Sequence, residues 1–251
     1  MRYAAPLVAI AAAASLAFAG ALPANSSPAR PLDGIVIALD PGHQLGNSNP
    51  DHFDELARTH FNGYMRKSCN TSGTATNGGY PEATFNWNVA KAVKDRLRAL
   101  GATVKMTRHA NSYDKWGPCV DDRGRFGAKV GADLMVSIHA DGAASSGYGF
   151  YVMLPASIPD WTDDIAAASM RMGKRFVRGM AGAGAPRSTY IADQILVTPE
   201  ISTLNLSDVP VILVESGNMR NAADAARMSS PSGQQQYADW ITAGIRAALR
   251  R

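Results

Sequence analysis

His43 and His139 each follow a short apolar run that reads as a buried strand, and a third such run delivers Glu215. Ile35-Val36-Ile37-Ala38-Leu39 passes through Asp40-Pro41-Gly42 into His43, Leu134 to Ile138 leads into His139, and Val209 to Val214 leads into Glu215. Apolar, β-branched runs bounded by turn residues suit strands covered on both faces. Open α/β sheets gather their ligands at the carboxyl ends of such strands. Two imidazoles and a carboxylate at three strand ends can converge on one metal, as in a hydrolytic zinc site. A plainer reading stands beside it. A single histidine is more often a hydrogen-bonded structural residue than a ligand, and Glu215 could equally pair with an arginine inside the fold. Periodicity alone leaves both open.

The elements that must carry these side chains alternate between strand and helix. A helix is expected from Pro81 to Ala99, where Phe85, Val89, Val93 and Leu97 repeat at helical spacing. Pro81 suits its first turn and Gly101 its stop, which places Glu82 at the helix start, where the macrodipole favours an anion. A strand at Thr103–Thr107 and a helix over Asp121–Val130 precede the His139 strand. Tyr148–Leu154 reads as an edge strand, Asp163–Met180 as a helix with methionines filling core, and Gln234–Leu249 as a closing amphipathic helix. The expected fold is a single α/β domain, a mainly parallel twisted sheet with helices on both faces. Residues 44–80, rich in Asn, Gly, Ser and Thr, read as an ordered lip tied down by Cys69.

The 251 residues are 46% hydrophobic and 18% charged, enough for one substantial core. The net charge of +4 is spread without Lys/Arg blocks, which argues against nucleic acid but favours an anionic surface such as a wall polymer or phospholipid. Arg2 followed by an alanine-dominated apolar run from Leu7 to Phe18 reads as an export signal, cleaved near Ala19 or Ala21. The division expected is signal peptide and leader over 1–24, a flexible tail over 25–33 and a catalytic domain over 34–251. No stable membrane insertion is expected after cleavage. Two cysteines in an exported chain, Cys69 and Cys119, point to a disulfide. It would span 50 residues and contribute about 4 kcal/mol on the chain-entropy model.

At Asp40-Pro41-Gly42-His43, Glu82, Ser137-Ile138-His139-Ala140 and Val214-Glu215-Ser216-Gly217-Asn218, the chain resembles the zinc-dependent N-acetylmuramoyl-L-alanine amidases of the Amidase_3 type, within them the small secreted mycobacterial kind. Gly101 to Arg108 fits that family's Gly-x-x-Val-x-x-Thr-Arg stretch, and Gly131-Ala132-Asp133 fits before the second histidine strand. The likeness runs from about Ile35 to the last helix. It implies that His43, Glu82 and His139 bind zinc and that Glu215 is the catalytic carboxylate, which replaces Glu215 as a ligand in the spatial reading. Two imidazoles and one carboxylate leave a fourth zinc position for water, whose pKa the metal lowers. A separate carboxylate must then take the water's proton and return it to the leaving amine.

The implied reaction cuts the amide between N-acetylmuramic acid and L-alanine of the stem peptide, with peptidoglycan as partner and a secreted, periplasmic or cell-wall location. A monomer is expected. The chain departs from the family pattern at Gly127-Ala128, where Ala-Asn is frequent, at Asp141 for Asn and at Asn218 for Phe. None of these is an implied ligand or the base. Arg123 and Arg220 could grip stem-peptide carboxylates, with packing or surface roles as the alternative. Two other functions remain: an exported zinc peptidase cutting within the stem peptide, and a wall-binding homologue without catalysis.

Overall fold

The computed structural model describes Met1, Tyr3–Ala4 and residues 29–250. The signal peptide expected over 1–24 falls almost wholly outside the described residues, as do residues 25–28 of the expected tail. Packing starts upstream of residue 34: Leu32 is buried against the core and its N–H donates to the Leu100 carbonyl at 2.9 Å. Among the described residues no helix is long and apolar enough to cross a membrane.

The chain runs β1 (Val36–Pro41), α1 (Phe53–Ala57), β2 (Thr59–Phe61), β3 (Arg66–Ser68), α2 (Glu82–Ala99), β4 (Thr103–Met106), α3 (Val120–Lys129), β5 (Leu134–Asp141), β6 (Tyr151–Pro155), α4 (Ala166–Gly182), β7 (Ile195–Thr198), α5 (Ser202–Asn205), β8 (Val211–Asn218), α6 (Ala222–Ser229) and α7 (Pro231–Leu249). Six strands form one sheet in the order β4-β1-β5-β8-β6-β7. The pairs from β4 to β8 are parallel, β6 is antiparallel to β8, and β7 is parallel to β6. The expected α/β domain with helices on both faces is present.

Strand parity decides which helices meet which residues. On one face Ile37, Leu39, Val136, Ile138, Ile212 and Val214 pack with residues of α2, α4 and α7 into the main core. On the other face Ala38, Met135, Val211 and Leu213 pack with Phe126 of α3, Leu204 of α5 and Ile165 just ahead of α4. The second face is therefore thinly covered towards the carboxyl ends of the strands.

Three elements differ from expectation. The strand beginning near Tyr148 is not an edge; β7, whose Val197 is 46% exposed, lies outside it. Alternation is weak in Ile195-Leu196-Val197, which hid β7. Helix α6 escapes periodicity because it is short and alanine-rich, although Asn221 caps it by accepting from the N–H groups of Ala223 and Asp224. The stretch 44–80 is ordered, holding α1 and the β2–β3 hairpin, and the Cys69–Cys119 disulfide ties it to the start of α3.

Candidate active site

His139 and Glu215 both point to the thinly covered face. In β5, Met135, Ser137 and His139 share one parity; in β8, Val211, Leu213 and Glu215 share it. His139 and Glu215 are direct register partners, as are Tyr151 and Glu215, so His139, Glu215 and Tyr151 form a row across three strands. The strands run past both side chains rather than ending before them, because Asp141 and Asn218 continue the pairing beyond a register shift. His43 lies beyond β1 in the left-handed region at φ 59°, a turn that brings its ring beside that of His139, with ring centres 4.8 Å apart.

Glu82 enters from the first turn of α2 and lies between the two imidazoles. Its Oε2 is 3.3 Å from His43 Nε2 and its Oε1 is 3.0 Å from His139 Nδ1. One donor atom from each of the three residues lies within 4.8 Å of the others. His43 Nδ1 is 2.8 Å from the carbonyl of Thr71, which only accepts, so Nδ1 donates there and Nε2 faces the cluster. Burial works against the charge of Glu82, yet the two imidazoles hold its carboxyl well below the usual range. Bonds of about 2.1 Å in a tetrahedral zinc site would place neighbouring donors roughly 3.4 Å apart. The observed separations and the His-Glu-His chemistry fit such an ion.

Two glycines let the cluster close. A Cβ on Gly42 would overlap the His139 ring, and one on Gly73, at φ 79°, would stand 2.6 Å from Glu82 Oε2. The polar scaffold behind them was not identified from sequence. Buried Arg108 donates to the carbonyls of Pro41 at 3.0 Å and Ala83 at 2.8 Å, joining the β1 exit that carries His43 to the α2 start that carries Glu82. Burial, then the nearby Arg123 charge, pushes its guanidinium down to about 9. Asn86, one turn after Glu82, donates to Glu82 Oε1 at 3.1 Å and to the Gly42 carbonyl at 3.2 Å. A polar residue beside Phe85 in a buried stripe was the signal for it.

Arg123 is not a free stem-peptide clamp. It forks onto the wholly buried Asp40, with Nε–Oδ1 at 2.9 Å and Nη2–Oδ2 at 2.8 Å, and Nη2 also lies 3.2 Å from His139 Nε2. Ser137 and Thr107 complete the cage, donating to Asp40 at 2.6 and 2.7 Å. Burial would raise the Asp40 carboxyl, but Arg123 and Ser137 hold it well below the usual range. Arg220 lies in a separate groove beside Gly73 and donates to Asn77 Oδ1 at 3.2 Å.

Glu215 is the contrast to Asp40. Its Oε2 is buried without a hydrogen-bond partner. Burial, followed by the carboxylates of Glu82 and Asp141, raises its carboxyl well above the usual value. Asp141 is itself engaged, accepting from the hydroxyls of Tyr151 and Tyr190 at 3.0 Å each. Glu215, His43 and His139 line one cleft of about 480 Å³, walled by Met153 and Leu213 on the sheet, Ser202 of α5 and Lys67 of the hairpin. A metal-type cluster beside a carboxyl poised to hold or release a proton can hydrolyse an amide seated there.

The family profile described as N-acetylmuramoyl-L-alanine amidase, Amidase_3, matches residues 37–247. N-acetylmuramoyl-L-alanine amidase Rv3717 of Mycobacterium tuberculosis is 35% identical over 227 residues, covering 90% of each chain. The crystal structure of the N-acetylmuramyl-L-alanine amidase Ami1 from Mycobacterium smegmatis superposes with a TM-score of 0.80 at 36% identity, over 87% of this chain and 98% of that one. The apo form of Ami1 from Mycobacterium abscessus gives 0.80 at 37% identity, over 87% and 100%.

Proposed function

The chain belongs to the Amidase_3 family of N-acetylmuramoyl-L-alanine amidases, and from that membership we propose a zinc-dependent enzyme that cuts peptidoglycan between N-acetylmuramic acid and the L-alanine of the stem peptide. His43, Glu82 and His139 are the metal ligands in this reading, and Glu215 is the catalytic base and acid. The observation that carries it is the carboxylate of Glu82 set between two imidazole nitrogens at 3.0 and 3.3 Å, those imidazoles lining the same cleft as Glu215.

A bound zinc ion supplies Lewis acidity, polarising the scissile carbonyl and acidifying a water molecule. The chain's own residues do the rest. Thr71 and Arg108 fix the orientation of His43 and of the loop that bears it. Glu215 takes a proton from the attacking water at its unpartnered Oε2 and delivers it to the departing amine of L-alanine. Its raised carboxyl suits both halves of that exchange, since a stronger acid would be a weaker base. We further propose that the enzyme acts outside the cytoplasmic membrane as a monomer, the leader over 1–24 being removed and 34–251 forming the catalytic domain.

The test is mass spectrometry of soluble products from purified peptidoglycan incubated with zinc-loaded protein, with Glu215→Ala alongside. Free stem peptides beginning at L-alanine, absent with the variant, are expected. Peptides cut internally would move the assignment to a peptidase, and wall binding without products would leave a binding protein.

A further inference from the structure

The solvent side of α4 carries Arg171, Lys174, Arg175 and Arg178, an i, i+3, i+4, i+7 series and hence one stripe along about 10 Å of helix. Arg171, Lys174 and Arg178 are exposed, and Arg175 is half-buried. Helix α7 lies antiparallel beside it: Gly179 rests on Ala243 and Ala247, and Arg175 donates to the Arg250 carbonyl. From α7 come Arg246 and, just after its end, Arg250, both exposed. A cleft of about 350 Å³ between the helices is lined by Arg175, Arg178, Arg250, Gly179 and Ala247. Its floor is a glycine and an alanine, so the guanidinium side chains stand round an open hollow. Among the described residues none of these cations forms an ion pair, whereas Arg58, Arg96, Arg125 and Arg227 elsewhere on the surface each do. Helix α4 contains no acidic residue at all. Like charges at i, i+4, here Arg171 with Arg175 and Lys174 with Arg178, destabilise a helix.

We propose that this ridge is a docking site for a phosphodiester polyanion, separate from the catalytic cleft. The guanidinium fork matches phosphate oxygens in pairs. A stripe about 10 Å long fits charges repeated along a chain better than one free phosphate. A bilayer surface is the poorer occupant, because no large apolar side chain is exposed on α4 or α7 to enter the acyl boundary. Both helices cover the sheet face opposite the one that His139 and Glu215 point to, so the polymer and the substrate do not compete. The polymer offsets the repulsion within the ridge and holds the enzyme beside an insoluble substrate.

The experiment measures binding of fluorescently end-labelled poly(glycerol phosphate) to the full mature protein by anisotropy at two salt concentrations. It is run for wild type, for Arg171→Ala/Lys174→Ala/Arg246→Ala and for the charge-matched control Lys91→Ala/Lys105→Ala/Lys129→Ala. The ridge variant should bind at least ~10-fold more weakly, with a shallower salt dependence, while the control stays near wild type. The ridge variant should also melt no lower than wild type, because it removes only exposed like charges, and should cleave soluble muropeptide at the wild-type rate. Equal weakening of ridge and control would reduce the ridge to net charge and overturn the proposal. So would a wild type that binds phosphatidylglycerol vesicles and not the polymer.

Discussion

Glu215 stands directly opposite His139 in the register of β8 and β5, yet the two side chains live in opposite electrostatic conditions. His139 has Glu82 and Arg123 at its two nitrogens, while Glu215 Oε2 has no partner. Burial first, then Glu82 and Asp141, raise the Glu215 carboxyl, so the folded metal-free protein holds this proton above the ~4.3 of an unfolded chain. Between that value and its own raised pKa the native state binds more protons than the unfolded state, and stability falls as pH rises. Glu215→Gln is neutral throughout. It should abolish turnover yet melt higher than wild type, with the difference in Tm widening from about pH 5 to pH 7. Equal melting curves across that range would mean that Glu215 carries no buried-charge penalty.

Metal loading should appear as stability, because the three donors are held together only in the folded chain. Free zinc at 100 times its Kd would add about 2.7 kcal/mol. Calorimetry with and without a chelator should show that gain in wild type, a much smaller one in Glu82→Gln, and a weaker one at acid pH, where protons compete for the imidazoles. A gain unchanged by Glu82→Gln would place the ion elsewhere.

Breaking the Asp40–Arg123 pair should cost far more than a surface bridge. Both side chains are at least 97% buried, exposed by 0 and 3%, and each would be left as an uncompensated charge. Arg123→Met should destabilise by about 3–5 kcal/mol in urea unfolding. Because Asp40 is held below its usual range, its contribution is full above roughly pH 4 and is lost as pH falls through its folded pKa. The deficit of Arg123→Met should therefore shrink in acid; a deficit constant with pH would place the loss in packing alone.

The sheet and three focal residues, His43, His139 and Glu215, were legible in the sequence because buried parallel strands read as continuous apolar runs followed by polar groups. Their roles were less so. Spacing alone put Glu215 with the histidines, since three strand ends looked equivalent, and the family likeness was needed to exchange it for Glu82 on α2. Arg108, Asn86 and Asp40 were illegible as a scaffold. Each has a partner far away in the chain: Asn86 on the Gly42 carbonyl at a separation of 44, Arg108 on the Pro41 carbonyl at 67 and Asp40 with Arg123 at 83. The antiparallel insertion of β6 beside β8 was hidden for the same reason: pairing partners are chosen by tertiary packing, not by local pattern.

The disulfide links the lip to the metal-type cluster by a short path. Cys69 is two residues before Thr71, whose carbonyl fixes the His43 tautomer at 2.8 Å, and Cys119 is the residue before α3, which carries Arg123. Replacing both cysteines with serine should lower stability by about 4 kcal/mol, since the closed loop spans 50 residues. It should also weaken zinc binding by about 10-fold or more, because the hydrogen-bond partner that orients the His43 imidazole, a ligand in the proposed reading, is loosened. Zinc titration of the variant under conditions where it is fully folded separates the two effects. Wild-type affinity in that folded variant would show that Thr71 holds His43 without help from the bond, and that the disulfide acts on stability alone.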